Sequence, residues 1–145
     1  VIWTNEILAA ADPLAVWDVL VDGRRWGEWN ADLAWMWVDE SLAPGAYLTI
    51  KPMRGRQTAY VIEDVVPQRR FAIRLQFGPA AHLRRTWTLA PEGAGTRIVE
   101  TIEISGFAAG WLVQKRAEGL AAAAPQTLAK LAARAQKNTA PEGAA

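Results

Sequence analysis

Apolar and polar residues alternate along most of this chain, and two stretches break the alternation. Ile2 to Ala10 reads as a strand, with Trp3, Ile7 and Ala9 on one parity and Thr4 and Glu6 on the other. Asp12-Pro13 then marks a helix start. An aspartate there accepts a hydrogen bond from a free N–H of the first turn, and a proline gives up only an N–H that had no partner. Leu14, Trp17, Leu20 and Val21 recur at helical spacing, and Asp22-Gly23 ends that helix. Arg24 to Trp29 suits a second short helix or turn closed by Asn30.

Period two then takes over as far as Ser105. Leu33 to Val38, Gly45 to Lys51, Thr58 to Val66, Phe71 to Phe77, Leu83 to Leu89 and Thr96 to Ile104 predict six further strands. Turns fall at Ala43-Pro44-Gly45, Arg54-Gly55-Arg56, Pro67-Gln68, Gly78-Pro79 and Pro91 to Gly95. In the fourth strand Thr58, Tyr60 and Ile62 face inward, yet Val65 faces in beside Phe71, so a bulge near Glu63-Asp64 is expected. Phe107 to about Lys137 is a long helix with Ala117, Leu120, Ala121, Ala124, Leu128, Leu131 and Ala135 on one stripe. Pro125 lies inside it and should kink it.

This order has one comfortable packing. It is an α+β fold in which a seven-stranded curved antiparallel sheet wraps the kinked C-terminal helix, while the two short helices plug one end. Residues 1–137 form a single domain on this reading, and 138–145 a disordered tail.

Strand parity nominates the residues between sheet and helix. On the sixth strand Leu83, Arg85, Trp87 and Leu89 share the inner face, and His82, Arg84, Thr86 and Thr88 point out. On the seventh, Ile98, Ile102 and Ile104 set the inner face and Glu100 falls on it. If Leu89 pairs near Ile98, Trp87 lies opposite Glu100 and Arg85 is its diagonal neighbour. Charges in an apolar interior must pair or stay wet. Arg85 and Glu100 either neutralise one another or orient a ligand's carboxylate, carbonyl or hydroxyl. Tyr60 offers a phenol to the same space or fills it. Trp35, Trp37, Ile73, Leu75, Trp87, Trp111 and Leu120 complete the expected lining, whereas Trp17 and Trp29 are packing residues of the plug. Aromatic walls narrow a cavity and favour a flat ligand, or else fill the space.

Composition removes several classes of function. With no cysteine, neither disulfides nor a thiolate metal site or nucleophile exists, and the single His82 forbids a histidine cluster. No nucleotide-cradling glycine loop or hydrolase motif is present, so neither a cofactor nor a metal is expected. Sixteen basic and fifteen acidic residues give a formal charge of +1, no reason to expect nucleic acid. Arg24-Arg25, Arg69-Arg70 and Arg84-Arg85 read as solvated faces or turn flanks, and Asp39-Glu40 and Glu63-Asp64 as solvated strand ends. No apolar run spans a bilayer and no signal-peptide layout opens the chain, which points to a soluble cytoplasmic protein, monomer or homodimer.

The chain resembles the START-like, birch-pollen-allergen-like helix-grip (SRPBCC) superfamily, in its bacterial polyketide cyclase/dehydrase and lipid-transport branch. The resemblance rests on Ile7, Ala9, Pro13, Val16-Trp17, Leu20, Asp22 and Trp29-Asn30, then Gly45. It continues through Val65-x-Pro67-x-Arg69-Arg70-Phe71, Trp87-x-Leu89-x-Pro91 and Gly95-Thr96. Members typically hold a hydrophobic ligand between sheet and helix, which implies a binder of a small hydrophobic, aromatic or polyketide-like molecule. One alternative it implies is a cyclase or dehydratase, with Glu100 or Tyr60 as acid/base and Arg85 stabilising an enolate oxygen. Another is an interaction module of the chaperone-activator or quinone-associated type, against which stands the charged outer face at Arg70, Arg74 and Gln76.

Overall fold

A computed structural model describes residues 2–30, 33–38, 41–77, 81–106 and 110–139, without the side chains of 111, 112, 138 and 139. Strand β1 (Ile2–Ala9) leads into helix α1 (Pro13–Leu20), whose first turn is capped by the Asp12 carboxylate accepting from Ala15 N at 2.9 Å. Asp22 caps a single 3-10 turn, Gly23–Arg25, and helix α2 (Trp26–Trp29) follows at once. Strands β2 (Leu33–Val38), β3 (Tyr47–Pro52), β4 (Thr58–Val66), β5 (Arg70–Phe77), β6 (Ala81–Glu92) and β7 (Gly95–Gly106) precede helix α3 (Trp111–Thr139).

All neighbouring strands pair antiparallel in the order β1-β7-β6-β5-β4-β3-β2, an open sheet with β1 and β2 at its edges. Helix α3 lies over β1 and β7 and against α1 and α2, burying Val113, Ala117, Ala124, Leu128, Leu131, Ala132 and Ala135. This is the expected helix-grip arrangement. Its stripe is mostly alanine and leucine, so the helix approaches the sheet closely at the alanines.

Several local expectations shift. The β6–β7 hairpin closes through Gly93-Ala94 alone, because Glu92 pairs with Gly95. Leu14 is 49% exposed, and Val16 and Val19 take its place beside Trp17 and Leu20. Helix α3 continues to Thr139, two residues beyond the expected end, and residues 140–145 of the tail lie outside the described residues. So do the Gly78-Pro79 turn, the Asp39-Glu40 pair and the Phe107 start.

Pro125 sits within continuous helix and cannot donate to the Ala121 carbonyl four residues back. The Asn5 amide of β1 approaches that oxygen instead, at 3.5 Å. Asn5 shares the inward parity of Trp3 and Ile7, so strand and helix solve one another's polar problem. Gly95-Thr96 is a second such joint. A Cβ at Gly95 would collide with the Ala9 carbonyl, and the buried Thr96 hydroxyl donates to Ala11 O at 2.7 Å. Gly95→Ala is therefore expected to cost about 1–3 kcal/mol in urea unfolding, as overpacking against backbone does. A cost within experimental error would show that β1 can move aside.

Candidate functional site

The inner face of the sheet is organised in cross-strand rows, and β6 and β7 set them. Leu89 pairs with Ile98, Trp87 with Glu100 and Arg85 with Ile102, the register that strand parity predicts. One row runs Asn5, Glu100, Trp87, Phe71, Val65, and the next Trp3, Ile102, Arg85, Ile73, Ile62. Val65 reaches the first row because the register shifts between Ile62 and Asp64, the bulge that the Glu63-Asp64 pair signals. Both acids then face outward, where Glu63 meets Arg74 and Arg84, and Asp64 meets Arg70. The hydrogen bond to Glu63 holds the Arg84 guanidinium above its ordinary value. His82 is also on that side, its Nε2 2.6 Å from Ser105 Oγ.

Consecutive arginines thus have opposite fates. Arg85 is 4% exposed and donates through Nη2 to Glu100 Oε1 at 3.0 Å, with Glu100 itself 1% exposed. Its guanidinium lies 4.7 Å from the centroid of the Trp87 ring, a cation–π placement. The pair is incompletely satisfied. Arg85 Nε and Glu100 Oε2 are buried without a hydrogen-bond partner among the described residues.

Behind Trp87 the aromatic side chains form one continuous cluster. Phe71 stacks on Trp87 at 5.9 Å, and Trp26 meets Trp87 edge-on at 5.6 Å. Trp29 lies 5.1 Å from Trp26, and Trp17 stands edge-on to Phe71 at 6.4 Å. Trp26 is anchored by its indole N–H to Leu20 O at 2.6 Å. Trp17 and Trp29 are accordingly packing residues of the plug, and this end of the interior is filled.

In front of Arg85 it is open. A pocket of about 280 Å³ lies between β6, the end of α2 and the middle of α3. Leu120, Ala123 and Gly119 form its apolar wall, and Arg85, Lys115, Arg116, Asn30 and Thr127 supply its polar groups. Asn30 and Thr127 are buried, at 9% and 8% exposure. Strand parity does not reach these four polar residues besides Arg85. Arg116, Leu120, Ala123 and Thr127 recur at four, three and four residues, a second stripe beside the apolar one.

The remaining expected lining residues divide. Ile73, Leu75 and Tyr60 are buried on the inner face, but only Arg85 and Leu120 of the expected set line this pocket. The Trp111 side chain lies outside the described part. Trp35 and Trp37 do not face the interior. They are 41% and 58% exposed, because a register irregularity between Leu33 and Trp35 turns Met36 inward in their place. With Tyr47 and Met53 they give the outer β2–β3 edge an exposed apolar patch, which the charged face of β5 does not foreshadow.

A family model described as polyketide cyclase / dehydrase and lipid transport matches residues 2–136. The chain belongs to that family. No curated protein sequence matches it. Among solved structures, protein MLL2253 from Mesorhizobium loti superimposes with a TM-score of 0.75 at 19% identity, covering 97% of this chain and 100% of that one. Ara h 8.0201 gives 0.73 at 9% identity over 95% and 99%. The di-domain ARO/CYC StfQ from the steffimycin biosynthetic pathway gives 0.73 at 13% identity, over 95% of this chain and 51% of that one. At these identities the likeness is one of fold. No described helix of this family member is long and apolar enough to cross a membrane.

Proposed function

We propose that this chain binds a small, largely apolar molecule between sheet and α3, with the molecule's polar end at Arg85. Arg85 carries the reading. It is a buried cation on the wall of an open pocket, held on one side by Glu100 and lacking a partner at Nε. Glu100 takes one guanidinium nitrogen, and a ligand oxygen that meets Arg85 from the pocket would add a charge-assisted hydrogen bond. The volume, about 280 Å³, stands at the lower end of small-molecule sites. Since a cavity of roughly 150 Å³ takes benzene, the space suits one or two rings better than a lipid chain.

Native mass spectrometry on protein purified from its own host tests this. The wild type is expected to carry a small molecule that the Ala123→Trp variant, with its pocket filled, does not. Equal retention by both would overturn the assignment to this pocket. Trp35→Phe and Trp37→Phe, at exposed positions, are expected to leave binding unchanged while lowering the fluorescence background of titrations.

A second reading, turnover as a cyclase or dehydratase, draws support from the unpartnered Glu100 Oε2 beside Arg85. In it Glu100, or Tyr60, moves a proton while Arg85 holds an enolate oxygen. Glu100→Gln would then abolish turnover, whereas in a binder it would weaken affinity by degrees.

A further inference from the structure

Resting on that binding reading, we infer that the pocket selects anions: its ligand is a small ring-based molecule carrying a carboxylate or a comparably acidic oxygen. The charged side chains lining the pocket are Arg85, Lys115 and Arg116, and among the described residues no carboxylate lines it. Glu100 lies behind Arg85 and balances that one charge through Nη2. Arg116 has no carboxylate partner among the described residues, and its Nη2 meets only the neutral Thr58 hydroxyl at 3.3 Å. Glu118, a neighbouring acid on the same helix, is exposed and accepts from the Gln114 amide at 3.2 Å. Arg116 therefore puts at the pocket wall a positive charge that no described carboxylate balances, with guanidinium N–H groups still able to donate.

The order of the side chains along α3 adds direction. Arg116 and Thr127 are eleven residues apart, about 16 Å along the helix axis, with Leu120 and Ala123 between them. One end of the pocket offers charge, the middle offers apolar surface, and the Thr127 end offers a neutral hydroxyl. A ring system with an acidic oxygen at one end and a neutral polar group at the other matches that sequence. A neutral amide or ester of the same shape forgoes the charge-assisted bonds while keeping the apolar contact.

Calorimetric titration with matched probes tests the inference. 6-Hydroxy-2-naphthoate and 4-hydroxycinnamate are each compared with their own carboxamides. The acid is expected to bind about tenfold tighter or more, the effect of one charge-assisted hydrogen bond in a half-enclosed site. That advantage should shrink severalfold in Arg116→Gln and on raising salt from about 50 to about 500 mM, with the amides little affected by either change. Amides binding as tightly as the acids would overturn the anion assignment and leave the pocket reading standing. So would an acid preference untouched by both Arg116→Gln and salt. If neither series binds at millimolar concentration, the pocket reading falls and the anion assignment with it.

Discussion

Arg85→Met is expected to lower stability by about 3–5 kcal/mol, because it strands the Glu100 carboxylate in the interior. Glu100 is 1% exposed and its other oxygen already lacks a partner, so nothing nearby takes over from the guanidinium. The reciprocal change, Glu100→Leu, should cost less. Arg85 remains on the pocket wall, where water can reach the freed N–H groups, and the Trp87 face still supports it. The double variant removes both charges together and should recover most of the loss, since a buried pair replaced by apolar residues of similar volume is often neutral or better. Urea unfolding of the two single variants and the double variant measures all three, and the cycle isolates the coupling. A cost below about 1 kcal/mol for Arg85→Met would show that Glu100 does not depend on the guanidinium for its place in the interior.

The legibility of that pair in the sequence has a simple physical cause. β6 and β7 run for twelve residues each without a bulge and meet in a two-residue turn, so one anchor, Leu89 with Ile98, fixes every other partner. The bulge in β4 is legible for a different reason. Two consecutive acids cannot both belong to alternating faces, and the sheet turns both outward to their arginines. The irregularity in β2 leaves no such mark, because Leu33-Ala34-Trp35-Met36-Trp37-Val38 is apolar at every position and any register looks buried. There the irregularity decides, and it sends the two indoles into solvent.

The pocket's helical side is hidden for the converse reason. Arg116 and Thr127 sit one step off the alanine-leucine stripe, where polar residues ordinarily face water. Thr127 is buried there all the same, and Arg116, though exposed, stands at the pocket's edge. Asn5 shares the parity of Trp3 and Ile7 on β1, but its partner, the carbonyl that Pro125 leaves free at Ala121, emerges only in the fold.

Trp87→Ala is expected to be the other costly change, at about 3–5 kcal/mol for a fully buried tryptophan. The ring is 0% exposed, stacked on Phe71, edge-on to Trp26 and beneath the Arg85 guanidinium, so the void would lose contacts on three sides. Trp87→Phe makes the argument sharper. It keeps an aromatic face for Phe71 and Arg85, and it removes an indole N–H that is buried without a partner. The relief of that donor, about 1–3 kcal/mol, offsets the smaller ring's lost contacts, so Phe should cost far less than Ala. Equal costs in thermal unfolding would mean that ring volume alone matters and that the stack contributes nothing. The consequence for binding follows from position. Trp87 stands between the filled aromatic plug and the open pocket, with Arg85 on its pocket side. Its removal should admit three-ring acids that the wild type refuses, at lower affinity, because the cation that receives them has lost the surface that orients it.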